Sequence, residues 1–284
     1  MSEPTKTTIR IAHSPDSDDA FMFYALTQGL LDVAGLDIQH VLRDIETLNQ
    51  AAFQGTYEIT ALSFHGYAHL ADRYQIMPSG ASFGDGYGPV VVSRKPLGRA
   101  DLAGMKVAIP GKLTTAHLAL RLWQPAVEVH LVPFDEILDA VLTGVCEAGV
   151  VIHEGQLTFG DLGLSAVVDL GAWWKGETGL PLPLGCNGIR RDIPEDLKRR
   201  LCRLLTESIQ YGLDHRTEAL GYAIRYARDL EHDPERSDRF VGMYVNEWTR
   251  AYGDAGRRAV QLLLDRGHEA GLLPRRIEAE FIEA

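Results

Sequence analysis

Paired cysteines, a basic stripe and a long apolar run are all missing from this chain. Its 284 residues hold three cysteines, Cys146, Cys186 and Cys202, scattered singly. An odd count with no C-x-x-C argues against a disulfide framework and against a thiolate zinc site. Basic residues number 28 against 39 acidic ones, for a formal net charge of -11, and they gather no further than short groups such as Arg190-Arg191 and Arg199-Arg200. Phosphate neutralisation dominates nucleic-acid binding, so no nucleic-acid partner is expected. No stretch approaches the roughly 20 apolar residues of a membrane-spanning helix, so no membrane is expected either. The opening MSEPTKTTIR has no apolar core and no cleavage signature of a secretory signal, which makes the cytoplasm the expected location. G-x-S-x-G and the cofactor fingerprints are absent as well.

What is present is a 45% hydrophobic chain, enough for one large domain or two modest ones. Short apolar runs alternate with helical patterns, which predicts an α/β fold. TTIRIAHS, LDIQHVLR, YEITALS and PVVVSR read as strands, with AFMFYALTQGLL, IETLNQAAFQG and FHGYAHLADRY as helices between or after them. A second block starts near Lys95: MKVAIPG, VEVHLVPF and AGVVIHEG as strands, TTAHLALRLW and DEILDAVLTG as helices. From Pro194 onward the pattern turns helical, with Leu197, Leu201, Leu204, Ile209 and Leu213 near a 3.6 period.

The two blocks echo one another. RIAHSPDSDDAFMFYAL and KVAIPGKLTTAHLALRL share a strand, a proline-bearing polar loop and a helix; FQGTYEITALS and LTGVCEAGVVIH share a G-x-x-E step into a strand. Two echoes in one order predict two similarly built lobes. Ligands of open α/β sheets bind outside the carboxyl ends of the strands. Those ends carry Ser14, Ser63 and His153 with the Thr114-Thr115 loop, so facing lobes would gather them around one small-molecule cleft.

Each motif has a plainer reading beside the functional one. Asp16, Asp18 and Asp19 in SPDSDDAF form an acidic first helical turn more readily than a metal cluster, because their spacing matches no calcium loop. In GKLTTAH, hydroxyls and free N–H groups at a helix start suit an anion, and equally suit simple capping. His65 and His69, four apart, lack the glutamate of H-E-x-x-H and an evident third ligand. The adjacent Trp173 and Trp174 either stack on an aromatic ligand or pack an irregular segment.

Taken together, IETLNQAAFQG, LSFHGYA, GPVVVSR, AIPGKLTTA, GVVIHEGQLTF, VVDLGAWWKGETGLPLPLG and MYVNEW resemble the 1,4-dihydroxy-6-naphthoate synthase family of the futalosine route to menaquinone, from about Ile9 to Leu272. The resemblance implies a two-lobed α/β fold like a type 2 periplasmic binding protein. A discontinuous lobe over 1–92 and 189–284, with the C-terminal helices, would face a lobe over 93–188, with hinge strands near 89–94 and 182–190. It implies conversion of cyclic dehypoxanthine futalosine, an aromatic carboxylate bearing a sugar-derived ring, into the naphthoate with release of a sugar-derived fragment. No metal and no organic cofactor take part in that chemistry. The general base falls on His153; substrate contacts fall on Ala61, Leu62 and Ser63 and on Thr115 and Ala116. Ser14, Asp18, Asn49 and Thr114 are further cleft candidates. Burial disfavours a charged imidazole and leaves it able to accept a proton. The chain departs from the family where SPDSDDAF stands for S-P-C-P-N-D-T-F and where Ala61 stands for lysine. A sister enzyme making the 5,8-dihydroxy-2 isomer and a non-catalytic solute binder are the alternatives.

Overall fold

The computed structural model describes residues 6–227, 230 and 232–283; the first five residues of the N-terminal stretch discussed above, and the corresponding ends of the lobe ranges, lie outside them. Within the described residues the chain forms strands β1 (Thr7–His13), β2 (Leu36–Leu42), β3 (Ile59–Ser63), β4 (Tyr74–Ile76) and β5 (Ser82–Gly84). It continues with β6 (Val90–Ser93), β7 (Lys106–Ile109), β8 (Glu128–Leu131), β9 (Ala148–Val151), β10 (Ser165–Asp169) and β11 (Leu182–Arg190).

Two sheets result. The first has the order β2-β1-β3-β11-β4, with β5 also paired to β11; the second has the order β10-β6-β9-β7-β8. The predicted echo is visible in their topology. β1 runs parallel to β2 and β3, and β7 runs parallel to β8 and β9. An antiparallel strand then joins each set: β11 beside β3, β6 beside β9. The chain passes between the sheets twice, between Gly84 and Val90 and again between Asp169 and Leu182.

The apolar runs explain why these strands lie inside. In β6 all four residues are buried, as expected where helices cover both faces of a sheet. One core joins Leu62, Tyr74 and Leu182 of the first sheet's strands with Val91, Val107 and Val150 of the second, and Trp174 and Leu263 pack into it. A second core, with Ile9, Ile11 and Phe21, lies under the helix Glu195–Asp214 through Leu201 and Ile209. Each fully buried side chain of this size contributes about 1.5–3 kcal/mol.

Three local expectations are corrected. The segment read as one helix, AFMFYALTQGLL, contains two short ones, Ser17–Met22 and Tyr24–Thr27, separated at Phe23. The double tryptophan lies in a regular helix, Leu170–Thr178, whose N-terminus Asp169 caps by accepting from the N–H groups of Gly171 and Ala172 and which ends at Gly179 with φ 72°. Trp174 is fully buried beneath the Arg266 guanidinium, so this pair packs the core. The strand expected to run through His153 stops at Val151.

Candidate functional site

A cavity of about 130 Å³ opens between the two sheets. Ser14, Ala61, Leu62 and Ser63 line it from the first sheet, Thr114, Thr115 and Ala116 from the second. Asp18 lines it as well, so the acidic turn after β1 and the hydroxyl-bearing turn after β7 face one space.

The second-sheet wall is a helix start. The helix Thr115–Trp123 is capped by Thr114, whose hydroxyl accepts from the His117 N–H at 3.2 Å and donates to the Gly111 carbonyl at 2.8 Å. The proton of that hydroxyl is thus already committed. The first N–H groups of a helix have no acceptor within it and suit an anion, and Thr115 and Ala116, the first two residues of this helix, both line the cavity. Thr115 also joins the halves: its hydroxyl donates to the Leu184 carbonyl of β11 at 2.6 Å and accepts from the His65 N–H at 3.3 Å. Glu46 adds a second tie by accepting from the Leu113 N–H at 3.1 Å.

Ser63 is held from behind. Asn49 accepts from its N–H at 3.0 Å and donates to its Oγ at 3.2 Å, which leaves the Ser63 proton to be donated elsewhere. Asn49 itself is fully buried and is not part of the cavity wall; it positions Ser63.

The first-sheet wall is acidic. Asp19 accepts from the Ser14 N–H at 2.7 Å, and burial, with the nearby Asp16, pushes its carboxyl up to about 7. Burial and the neighbouring carboxylates of Asp19, Asp16 and Glu154 hold Asp18 well above the usual range. Glu154, fully buried, is raised to about 7 by desolvation and by Asp16. The Ser17 hydroxyl donates to Glu154 Oε1 at 2.8 Å, linking the acidic turn to the turn after β9.

His153 lies in that turn and is buried, but its ring is absent from the cavity wall, to which Ile152 and Gln156 on either side belong. Its Nδ1 accepts from the Gly155 N–H at 3.0 Å, so the neutral ring carries its proton on Nε2, which faces the Phe134 carbonyl at 3.2 Å. The glycine that follows in IHEG is required by this packing: a Cβ there would meet His153 Cε1 at 2.8 Å and Val151 Cγ1 at 2.9 Å.

Sequence reasoning missed Gln156, Tyr244 and Asn187, all of which line the cavity. Tyr244 donates to Gln156 Oε1 at 2.7 Å across 88 positions of chain; its only sequence signal was its place in MYVNEW. His65, whose Nδ1 donates to the Thr114 carbonyl at 3.2 Å, is lowered to about 4 by burial and by His117 and His69. Among the described residues no group of three or more His, Cys, Asp or Glu is placed to hold a metal ion, and no helix is long and apolar enough to cross a membrane. The three cysteines are buried and free.

Comparison with known proteins bears on this geometry. Residues 9–269 match the family described as Menaquinone biosynthesis. A Thermus thermophilus protein named 1,4-dihydroxy-6-naphtoate synthase is 41% identical over 264 residues, which are 93% of this chain and 95% of that one. The crystal structure of an Archaeoglobus fulgidus protein matches at TM-score 0.89 and 47% identity, covering 93% of this chain and 98% of that chain. At 14% identity, the alkanesulfonate-binding protein of Xanthomonas axonopodis, solved with MOPS bound, matches over 100% of both chains at TM-score 0.72. That last likeness concerns the fold, which is the two-lobed, periplasmic-binding-protein-like α/β architecture expected above.

Proposed function

The chain belongs to the menaquinone biosynthesis family, and we propose that it acts there as a 1,4-dihydroxy-6-naphthoate synthase on cyclic dehypoxanthine futalosine. The observation that carries the reading is the shared cavity, with a helix start on one wall and a carboxyl cluster on the other. The substrate carboxylate is received by the N–H groups of Thr115 and Ala116 and by the Ser63 hydroxyl. Its sugar-derived ring extends toward the acidic wall. His153 is the general base. On substrate binding its imidazole turns from Phe134 toward the cavity, which its neighbours Ile152 and Gln156 already line. Catalytic hydrogen bonds commonly tighten only in the substrate complex. The base removes a proton from the sugar-derived ring, a carbon–carbon bond breaks, and formation of the second aromatic ring drives release of the sugar-derived fragment. No cofactor is called upon. The reaction belongs to the cytoplasm in this reading.

The test is direct. Purified protein with the substrate and no additive is expected to yield a naphthoate chromophore, whose isomer NMR identifies. His153→Asn is expected to bind substrate while losing about 10²–10⁴ in kcat. Absence of product under all conditions would leave a binder on the same fold; wild-type turnover by the variant would remove His153 from the chemistry.

A further inference from the structure

We propose that Asn187 determines specificity, its side-chain carbonyl accepting a hydrogen bond from a hydroxyl on the sugar-derived ring of the substrate. The assignment rests on the reaction proposed above and adds the group that reads the ring.

Asn187 lies in the middle of β11, 1% exposed, and lines the cavity. Its amide orientation is dictated by chemistry. The Gly80 carbonyl lies 2.9 Å from Nδ2 and can only accept, so the NH₂ faces Gly80 and the oxygen faces away from it. No donor among the described residues reaches that oxygen. A buried acceptor left without a donor is costly, and the great majority of such atoms are paired.

The surroundings hold the amide in this arrangement. Gly80 has φ +82°, and a Cβ there would meet Asn187 Nδ2 at 2.5 Å, so glycine is needed for the close approach. The Gly80 N–H donates to the buried Thr249 at 2.7 Å, and the Met77 N–H donates to the backbone carbonyl of Asn187 at 2.9 Å. Across the sheet the partner of Asn187 is Ala61, on the same face. Ala61 also lines the cavity, and its methyl group is too short to cover the amide or donate to it.

A partner for this oxygen must carry a donor, and because Asn187 lines the cavity we assign that donor to the bound substrate. A carboxylate offers none and would set lone pairs against lone pairs. A ring hydroxyl fits, and the nearby walls agree: the anion is received at the helix start, leaving Asn187 to meet the neutral, hydroxylated part. Sites that hydrogen-bond a substrate hydroxyl discriminate strongly against analogues lacking it, because the protein group is then left unpaired.

The experiment compares wild type with Asn187→Leu on the parent substrate and on deoxy analogues that each lack one ring hydroxyl. For one analogue, wild-type kcat/KM is expected to fall about 10- to 100-fold. Asn187→Leu is expected to show a similar fall on the parent and no further fall on that analogue. Affinity for the naphthoate product, which lacks the ring, is expected to match in the two proteins. Equal discrimination by both proteins overturns the assignment. Should the leucine variant fail to fold, wild type alone decides: tolerance of every deoxy analogue within about threefold overturns it. Failure of wild type to form naphthoate overturns the reaction itself, and the assignment with it.

Discussion

In the first sheet, β1 leads through Ser14 and an acidic turn into a helix; in the second, β7 leads through Gly111 and Thr114 into another. The two connections occupy the same step of a repeated topology and line the same cavity, yet one presents carboxyl groups and the other a hydroxyl-capped helix start. Equivalent places in the two halves thus carry opposite electrostatic preferences. In the reaction proposed above, this difference is what would hold the substrate by its ends, its anion against the second sheet and its hydrogen-bond donors against the first. A symmetric fold becomes a directional site through the side chains of two short loops.

After loss of the His153 imidazole itself, the largest expected effect comes from breaking the second half. Gly155→Ala places a methyl group within 2.8 Å of His153 Cε1 in the turn from which the ring must swing toward the cavity, and a ring left misplaced by about 1 Å after that swing should cost on the order of 10²-fold in kcat. The measurement is steady-state kinetics beside a melting curve; unchanged kcat in a folded variant would break the link between this turn and the chemistry.

The first half is sharpened by pH. The folded protein raises the Asp19 carboxyl from 3.8 to about 7, so it binds that proton more tightly than the unfolded chain. The contribution to stability is present below about pH 4 and is lost as pH rises through about 7. Buried histidines oppose this: His13 is lowered from 6.5 to about 3 by burial and by His40, and its contribution is lost as pH falls. Asp19→Asn removes one of the three raised carboxyls of this cluster and leaves Asp18 and Glu154 beside the histidines. Relative to wild type, the variant should gain unfolding free energy between pH 5 and pH 7, by up to about 1 kcal/mol per pH unit. Urea unfolding across that window checks it, and a constant difference would show that Asp19 does not titrate there.

The smallest effect is a control within the first half but off the cavity wall. Asp44 caps the helix Ile45–Ala52 by accepting from the Thr47 N–H at 2.9 Å. Asp44→Ala should lower stability by about 1 kcal/mol and leave kcat unchanged. An equal loss of turnover would mean that helix caps in general, rather than the cavity loops, set activity.

Much of this architecture was legible because strands of buried sheets advertise themselves: VVV in β6 and the AGVV run of β9 admit few other readings. The three-residue strands β4 and β5 escaped, being too short to show a period. The tryptophan helix escaped because Gly171 and Gly176 interrupt it and its cap, Asp169, ends a strand. At the site, residue types and loop positions were readable, but ring and amide orientations were not. His153 is turned by contacts with Phe134 and Gly155, and Asn187 by Gly80, 107 positions earlier in the chain. Such orientations depend on long-range packing, which leaves no local pattern.

The late arrival of β11 has a consequence for how the protein is made. Its nine residues lie between β3 and β4 in space, yet follow them by more than a hundred positions in the chain. On the ribosome, β6 to β10 emerge as one unbroken segment while the earlier sheet still lacks its central staple. The half that is synthesised first is therefore the half that closes last, and a nascent chain halted before Leu182 leaves β3 with an open hydrogen-bonding edge.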